Sequence, residues 1–248
     1  MLKSFASGRL FGSTWGDGRP SVLALHGWQR RHQDFSAVFA DLPAGSPAVL
    51  AVDLPGFGAT PPPDGPWGTP EYATALLDVL DEMEGPVTVL GHSFGGRVAV
   101  RLAAAAPDRI DRLVLTGVPL LDRQGRRSRP ATAYRIGRRL HRLGLVGDDR
   151  MEALRNRYGS PDYRAATGVV RQVFVKIVAE RYDEDLRSIV CPVDLVWGAD
   201  DREVPLEVAE RAVPLLRSPS LRVLPGVGHL TPIEAPEALR AAVTGGPG

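Results

Sequence analysis

Apolar residues fall along this chain in two rhythms. Short unbroken runs at residues 21–25, 47–52, 87–90, 110–116, 192–197 and 221–224 have the length and composition of buried strands. Between them, apolar positions recur every three or four residues. Phe35, Val38 and Phe39 mark a helix over 34–41; Leu76, Leu77, Leu80 and Met83 mark one over 71–84. Further helices are predicted over 97–106, 205–215 and 236–243. Apolar strands joined by helical crossovers imply a mostly parallel sheet covered by helices on both faces, an α/β fold. The dense glycine and proline of Trp15-Gly16-Asp17-Gly18-Arg19-Pro20 predict a hairpin leading into the strand at 21–25. The proline-rich stretch 60–70 is expected to be irregular.

The alternation breaks after Val118. From 119 to 188 the pattern gives helices over 135–143, 149–158 and 169–186, with no strand between them. The expected organisation is therefore a core of residues 1–118 and 189–248, with 119–188 inserted as a helical cap. A length of 248 residues suits one such domain. The closing Gly245-Gly246-Pro247-Gly248 is expected to be disordered.

Composition narrows the picture without changing it. With 44% hydrophobic and 24% charged residues, the chain has the make-up of a soluble globular protein. No apolar run approaches the roughly 18–20 residues that span a bilayer, so no membrane partner is expected. Met1-Leu2-Lys3-Ser4-Phe5 opens no apolar core of the kind a signal peptide carries. Cys191 is the only cysteine, which excludes an internal disulfide and fits the cytoplasm. There is no phosphate-binding glycine loop and no cluster with metal-ligand spacing, so neither cofactor nor metal is expected.

Charge is distributed unevenly. Residues 119–188 hold 16 Lys and Arg against 9 Asp and Glu, a net of +7, while the remainder holds 14 against 20, a net of −6. Lysine occurs only at Lys3 and Lys176, so part of the arginine excess is background composition. Arg123, Arg126, Arg127, Arg129, Arg135, Arg138, Arg139 and Arg142 crowd into twenty residues. Such a face is either simply solvated or suits an anionic substrate group or an acidic protein, because guanidinium forks match carboxylates and phosphates. Nucleic acid is not expected: the rest of the chain is net acidic and no aromatics interleave the arginines.

The chemistry concentrates at one strand-to-helix junction, Gly91-His92-Ser93-Phe94-Gly95-Gly96. Glycines two residues either side of Ser93 permit a turn tight enough to push the hydroxyl out above the sheet, the nucleophile elbow. A serine needs a base, and the base needs a group to orient it. In this arrangement the chain order is Ser, acid, His, each past a strand. Of the two histidines after Ser93, His141 sits among arginines in the insertion, whereas His229 follows the last strand in Pro225-Gly226-Val227-Gly228-His229. His229 is the expected base. The strand at 192–197 runs into Gly198-Ala199-Asp200-Asp201, and spacing alone does not separate the two acids. The N–H of Phe94, directly after the nucleophile, is one expected oxyanion donor. His26 is expected to brace its loop, His92 to pack, and Asp53 to shape the fold.

Five motifs, Leu25-His26-Gly27-Trp28, Asp53-Leu54-Pro55-Gly56-Phe57-Gly58, Gly91-His92-Ser93-Phe94-Gly95-Gly96, Trp197-Gly198-Ala199-Asp200-Asp201 and Gly228-His229, resemble in order and spacing those of the α/β-hydrolase superfamily, over nearly the whole chain. The resemblance implies Asp201 as the acid. It also implies Trp28 N–H as the second oxyanion donor, with its indole along the acyl pocket. Serine at the elbow argues against the epoxide hydrolases and haloalkane dehalogenases of that superfamily, which carry Asp there. The expectation is a serine hydrolase, a monomer or dimer, that cleaves a small carboxylic ester through an acyl-enzyme. Carbon–carbon hydrolysis, thioester hydrolysis or perhydrolysis are alternatives on the same residues; a small-molecule receptor with a slow triad is one from another class. The likeness to pimeloyl-carrier-protein methyl esterases, in the His-Gly-Trp and Asp-Leu-Pro-Gly-Phe-Gly motifs, implies a substrate presented by an acidic carrier protein to the basic cap.

Overall fold

The computed structural model describes residues 2–121 and 132–245. Its strands are β1 (Lys3–Phe5), β2 (Leu10–Trp15), β3 (Val22–Leu25), β4 (Val49–Asp53), β5 (Val87–His92), β6 (Ile110–Thr116), β7 (Val193–Gly198) and β8 (Pro219–Leu224). They form one sheet in the order β1-β2-β4-β3-β5-β6-β7-β8, parallel except where β2 meets β1 and β4. Alternate residues of each central strand face opposite sides, and each side is buried. Leu23 and Leu25 of β3, Leu113 and Leu115 of β6, and Leu195 and Trp197 of β7 belong to one apolar cluster. Val22, Ala24, Val114 and Val196 belong to the other.

The first cluster is covered by α2 (Thr69–Asp81), α3 (Phe94–Ala105) and other helices that follow. The second is covered by the short α1 (Ser36–Phe39) and, at the far end of the chain, by a helix that contributes Ala238, Leu239 and Val243. Beyond β6 come α4 (Thr132–Arg142), α5 (Asp148–Tyr158), α6 (Pro161–Ala165), α7 (Gly168–Ile177) and α8 (Asp183–Ser188). After β7 come α9 (Leu206–Ala212), α10 (Thr231–Glu234) and α11 (Pro236–Thr244). Among the described residues no strand lies between β6 and β7. Val173, Ile177, Tyr182 and Leu186 join the same apolar cluster as the sheet, so α7 and α8 rest directly on the core. Among the described residues no helix is long and apolar enough to cross a membrane.

Two expectations need correction. The glycine-rich turn at 15–20 does not close a hairpin with the next strand. Phe11 pairs with Asp53 and Trp15 with Val49, so β2 lies beside β4, while β3 runs parallel on the other side of β4. The hairpin is the earlier β1–β2 pair, turned at Ala6, Ser7 and Gly8, all with positive φ. β3 is buried along its whole length and takes parallel partners on both sides, which leaves no place for β2.

The second correction concerns 169–186, which forms two helices, with a turn at Val178 and Ala179 and Tyr182 just before the second helix. Tertiary bonds override the local helical pattern there. Arg97 Nη1 donates to Ile177 O (2.9 Å) and Arg101 Nη2 to Arg181 O (2.8 Å), while Thr69 N–H donates to the Glu180 carboxylate (3.0 Å). Tyr182 swings inward beneath the Arg101 guanidinium. The expected disorder at Gly246, Pro247 and Gly248 lies outside the described residues; Gly245 caps α11 in the left-handed conformation.

Candidate active site

Ser93 joins β5 to α3 with φ +49° and ψ −111°, a conformation that costs a residue with a Cβ on the order of 1–3 kcal/mol. The surroundings hold it there. Ser93 N–H donates to Thr116 O (3.0 Å), Gly95 N–H to His26 O (3.0 Å) and Gly96 N–H to Ser93 O (3.1 Å). A Cβ on Gly95 would collide with the carbonyl oxygens of Leu25 and His26, and one on Gly91 would stand 2.5 Å from Gly96 Cα. The elbow closes only because neither residue has a side chain.

Two loops at the carboxyl ends of β7 and β8 bring Asp201 and His229 together. Ala199 N–H donates to Leu224 O and Asp200 N–H to Val227 O, each at 2.9 Å, which ties the loops edge to edge. Asp201, only 4% exposed, accepts from His229 Nδ1 at 2.8 Å through Oδ2. Its Oδ1 accepts from the N–H groups of Glu203 (2.9 Å) and Val204 (2.7 Å). Asp200 is exposed. With its Nδ1–H donated to Asp201 in a hydrogen bond, the neutral His229 ring keeps a bare Nε2, the atom a general base uses. Burial alone would lower the His229 pKa. The hydrogen bond and charge of Asp201, with the charges of Glu203 and Glu234, outweigh it and hold the pKa above the ordinary value. The other candidate, His141, bonds Val146 O at 2.9 Å on α4 and does not line the cavity at Ser93.

The loop after β3 is braced from beneath. His26 Nδ1–H donates to Gly27 O (2.7 Å) and its Nε2 accepts from Leu54 N–H (2.9 Å). Burial, against weaker opposing effects of the Gly27 bond and Asp53, pushes its pKa down to about 4, so it stays neutral. Asp53 serves the neighbouring loop: it accepts from the N–H and Nδ1 of His32 and from Ala59 N–H. Trp28 stands on this scaffold, its ring centroid 4.9 Å from that of Phe57, 5.4 Å from Phe94 and 5.1 Å from Phe174. Phe94 is the first residue of α3, so its N–H has no carbonyl one turn back to bond.

Ser93, Trp28, Asp162, Glu203 and His229 line two adjoining cavities. One, of about 190 Å³, is walled mainly by apolar groups: Phe94, Phe174, Ile177, Val178 and Val204. The other, of about 320 Å³, adds Gln29, Arg30, His92 and Leu230. Glu203, 71% exposed, brings Oε2 to 3.5 Å from His229 Nε2. The sequence singled out neither Asp162 nor Phe174, which stand on helices whose register over the site is a tertiary matter. Arg135, Arg139 and Arg142 are exposed on α4 and absent from both linings. Arg123, Arg126, Arg127, Arg129 and the side chain of Arg138 lie outside the described residues.

The sequence pattern of the "Alpha/beta hydrolase family" matches residues 22–242. A 2-hydroxy-6-oxo-2,4-heptadienoate hydrolase of Pseudomonas putida is 30% identical over 202 residues, 75% of this chain and 73% of that protein. A pimeloyl-[acyl-carrier protein] methyl ester esterase of Neisseria meningitidis is 39% identical over 101 residues, 40% of this chain and 37% of that one. Among solved structures, a thermophilic esterase from Thermogutta terrifontis superimposes with a TM-score of 0.70 at 22% identity, covering 98% of this chain and 96% of that one; at such identity the likeness concerns the fold.

Proposed function

This chain belongs to the alpha/beta hydrolase family, and on that premise we propose that it is a serine hydrolase that cleaves a small carboxylic ester through an acyl-enzyme. The observation that carries the reading is the 2.8 Å bond between His229 Nδ1 and the buried Asp201, beside a serine held at a strained elbow in the same cavity. Ser93 Oγ attacks the ester carbonyl as His229 Nε2 takes its proton. The N–H groups of Phe94 and Trp28 meet the oxyanion, each worth roughly 3–4 kcal/mol in such sites. His229 returns the proton to the departing alcohol, and Asp201 steadies the imidazolium in between. Water, activated by the same His229, then releases the acid.

The smaller apolar cavity takes a short acyl chain, and the more polar one takes the alcohol part. Residues 119–188 act as the cap that shapes both. The exposed Arg135, Arg139 and Arg142 favour an anionic group or acidic carrier docking outside the catalytic cavity, whose own rim carries Asp162 and Glu203. The lone, buried thiol of Cys191 fits a reducing, cytoplasmic setting. Pre-steady-state hydrolysis of p-nitrophenyl butyrate tests the reading. A burst of one p-nitrophenolate per chain, lost in Ser93→Ala, is expected; failure of a fluorophosphonate probe to label Ser93 would overturn it.

A second reading, hydrolysis of a carbon–carbon bond in a vinylogous diketone, is favoured by the length of the match to the Pseudomonas putida hydrolase, 202 residues against 101 for the methyl ester esterase. Higher kcat/KM on such a diketone than on any short-chain ester would establish it in place of the first.

A further inference from the structure

The mechanism above leaves His92 unused. It is 2% exposed, yet it stands against three parts of the site: Ser93, the His229 loop and the Gly27 loop. It precedes Ser93 in the chain. Its Nε2 lies 2.9 Å from the backbone carbonyl oxygen of His229. A carbonyl can only accept, so the proton sits on Nε2 and Nδ1 is left bare. Nδ1 is buried without a hydrogen-bond partner among the described residues. On that side the ring rests against the loop that carries Trp28: a Cβ on Gly27 would stand 2.9 Å from Nδ1. The ring centroids of His92 and His229 are 5.0 Å apart.

We propose that His92 is a positioning residue: it fixes the spacing of Ser93, His229 and the Trp28 amide by donating to the His229 carbonyl and filling the gap to Gly27. This inference rests on the serine-hydrolase reading. The position calls for a side chain that reaches the His229 carbonyl with a donor and aims no N–H at Gly27. A leucine fills the gap without donating. A lysine or arginine would bring a charge beside the imidazolium that forms at His229 in each turnover. Histidine meets the requirement only while neutral. Burial, reinforced by the positive charge of His229 and Arg30 and opposed by the His229 carbonyl and Asp201, keeps it so, with its pKa pushed down to about 3. A proton on Nδ1 would point at Gly27 with nothing to accept it.

The test compares His92→Gln, whose amide N–H₂ reaches the carbonyl, with His92→Leu and His92→Asn, which fill or shorten without reaching it. The readouts are kcat and KM on p-nitrophenyl butyrate, fluorophosphonate labelling rate, and thermal unfolding of the same samples. Small misplacements of reacting groups cost up to about 100-fold in rate. The expected result is a kcat loss of about 10- to 100-fold in His92→Leu and His92→Asn, with KM held within about twofold and labelling slowed in parallel. His92→Gln is expected to recover to within about fivefold of the parent. Should His92→Leu destabilise the fold, the Gln and Asn pair still decides. Equal rates across the folded variants, or losses that track melting temperature rather than the donor, would overturn the proposal. Undiminished turnover in Ser93→Ala would instead remove the serine-hydrolase reading, and the role of His92 with it.

Discussion

Glu234 grips the chain on both sides of His229. Its Oε2 accepts from Gly228 N–H at 2.6 Å and its Oε1 from Leu230 N–H at 3.1 Å, so one carboxylate of α10 fixes the loop on which the imidazole stands. Glu234→Ala is expected to lower kcat about tenfold with little change in KM, because the ring loses its aim while the substrate cavity keeps its walls. Steady-state kinetics check this; a change confined to KM would contradict it.

Asp200 and Asp201 are adjacent in sequence and opposite in setting. Asp201 is buried and spends both oxygens on His229, Glu203 and Val204, while Asp200 faces solvent. Asp201→Asn is expected to cost about 10³- to 10⁴-fold in kcat, since an amide favours the wrong tautomer of the ring. Asp200→Asn should stay within about threefold. Similar losses in the two variants would reassign the acid.

In the proposed mechanism the base must be neutral to take a proton from Ser93. His229 has its pKa held above the ordinary 6.5, so the acid limb of the kcat/KM profile should have its midpoint above pH 6.5. Glu203→Gln removes a negative charge 3.5 Å from Nε2 and should move that limb to lower pH. A pH–rate profile of the two proteins reads the shift directly, and a move toward higher pH would count against the geometry.

His26 and His92 are buried neutral, with pKa values pushed down to about 4 and about 3. An unfolded histidine titrates near 6.5. Above that pH neither state binds the protons and the groups cost nothing. As pH falls from 6.5 toward 4, the unfolded chain takes up protons that the folded chain refuses, so stability drops by about 1 kcal/mol per pH unit for each histidine. Urea unfolding at pH 7, 6 and 5 should show the decline, and His92→Gln should show a shallower one. An unchanged slope in that variant would mean His92 does not contribute.

The legible parts of this protein were those that chain-local physics decides. The apolar run into Gly91-x-Ser-x-Gly and the helix behind it can form only one kind of turn, and the ends of β7 and β8 could be placed from apolar runs bounded by glycine. What escaped was set by distant partners. β1 is three residues long, too short for a period-two signal, and the choice of β4 over β3 as neighbour to β2 depends on how the whole sheet is ordered. The break after Ile177 comes from arginines of α3, some eighty positions earlier. Glu234 was invisible for the same reason: nothing in Thr231-Pro232-Ile233-Glu234 announces that its carboxylate turns back to clasp the residues flanking His229.

The anchoring of α7 by Arg97 has a counterpart in how the site should sort molecules. Phe174, Ile177 and Val178, which face the smaller cavity, all belong to the stretch that Arg97 and the Thr69–Glu180 pair hold against the core. A wall fastened in this way sieves by size: once an acyl chain outgrows about 190 Å³ of space, turnover should fall abruptly rather than by degrees. The larger cavity adds Gln29, whose exposed side chain can move out of the way, while Asp162 and Glu203 stand where the two cavities adjoin. On the ester-hydrolase reading, selectivity should therefore be divided unequally across the scissile bond, strict on the acid and lenient on the alcohol.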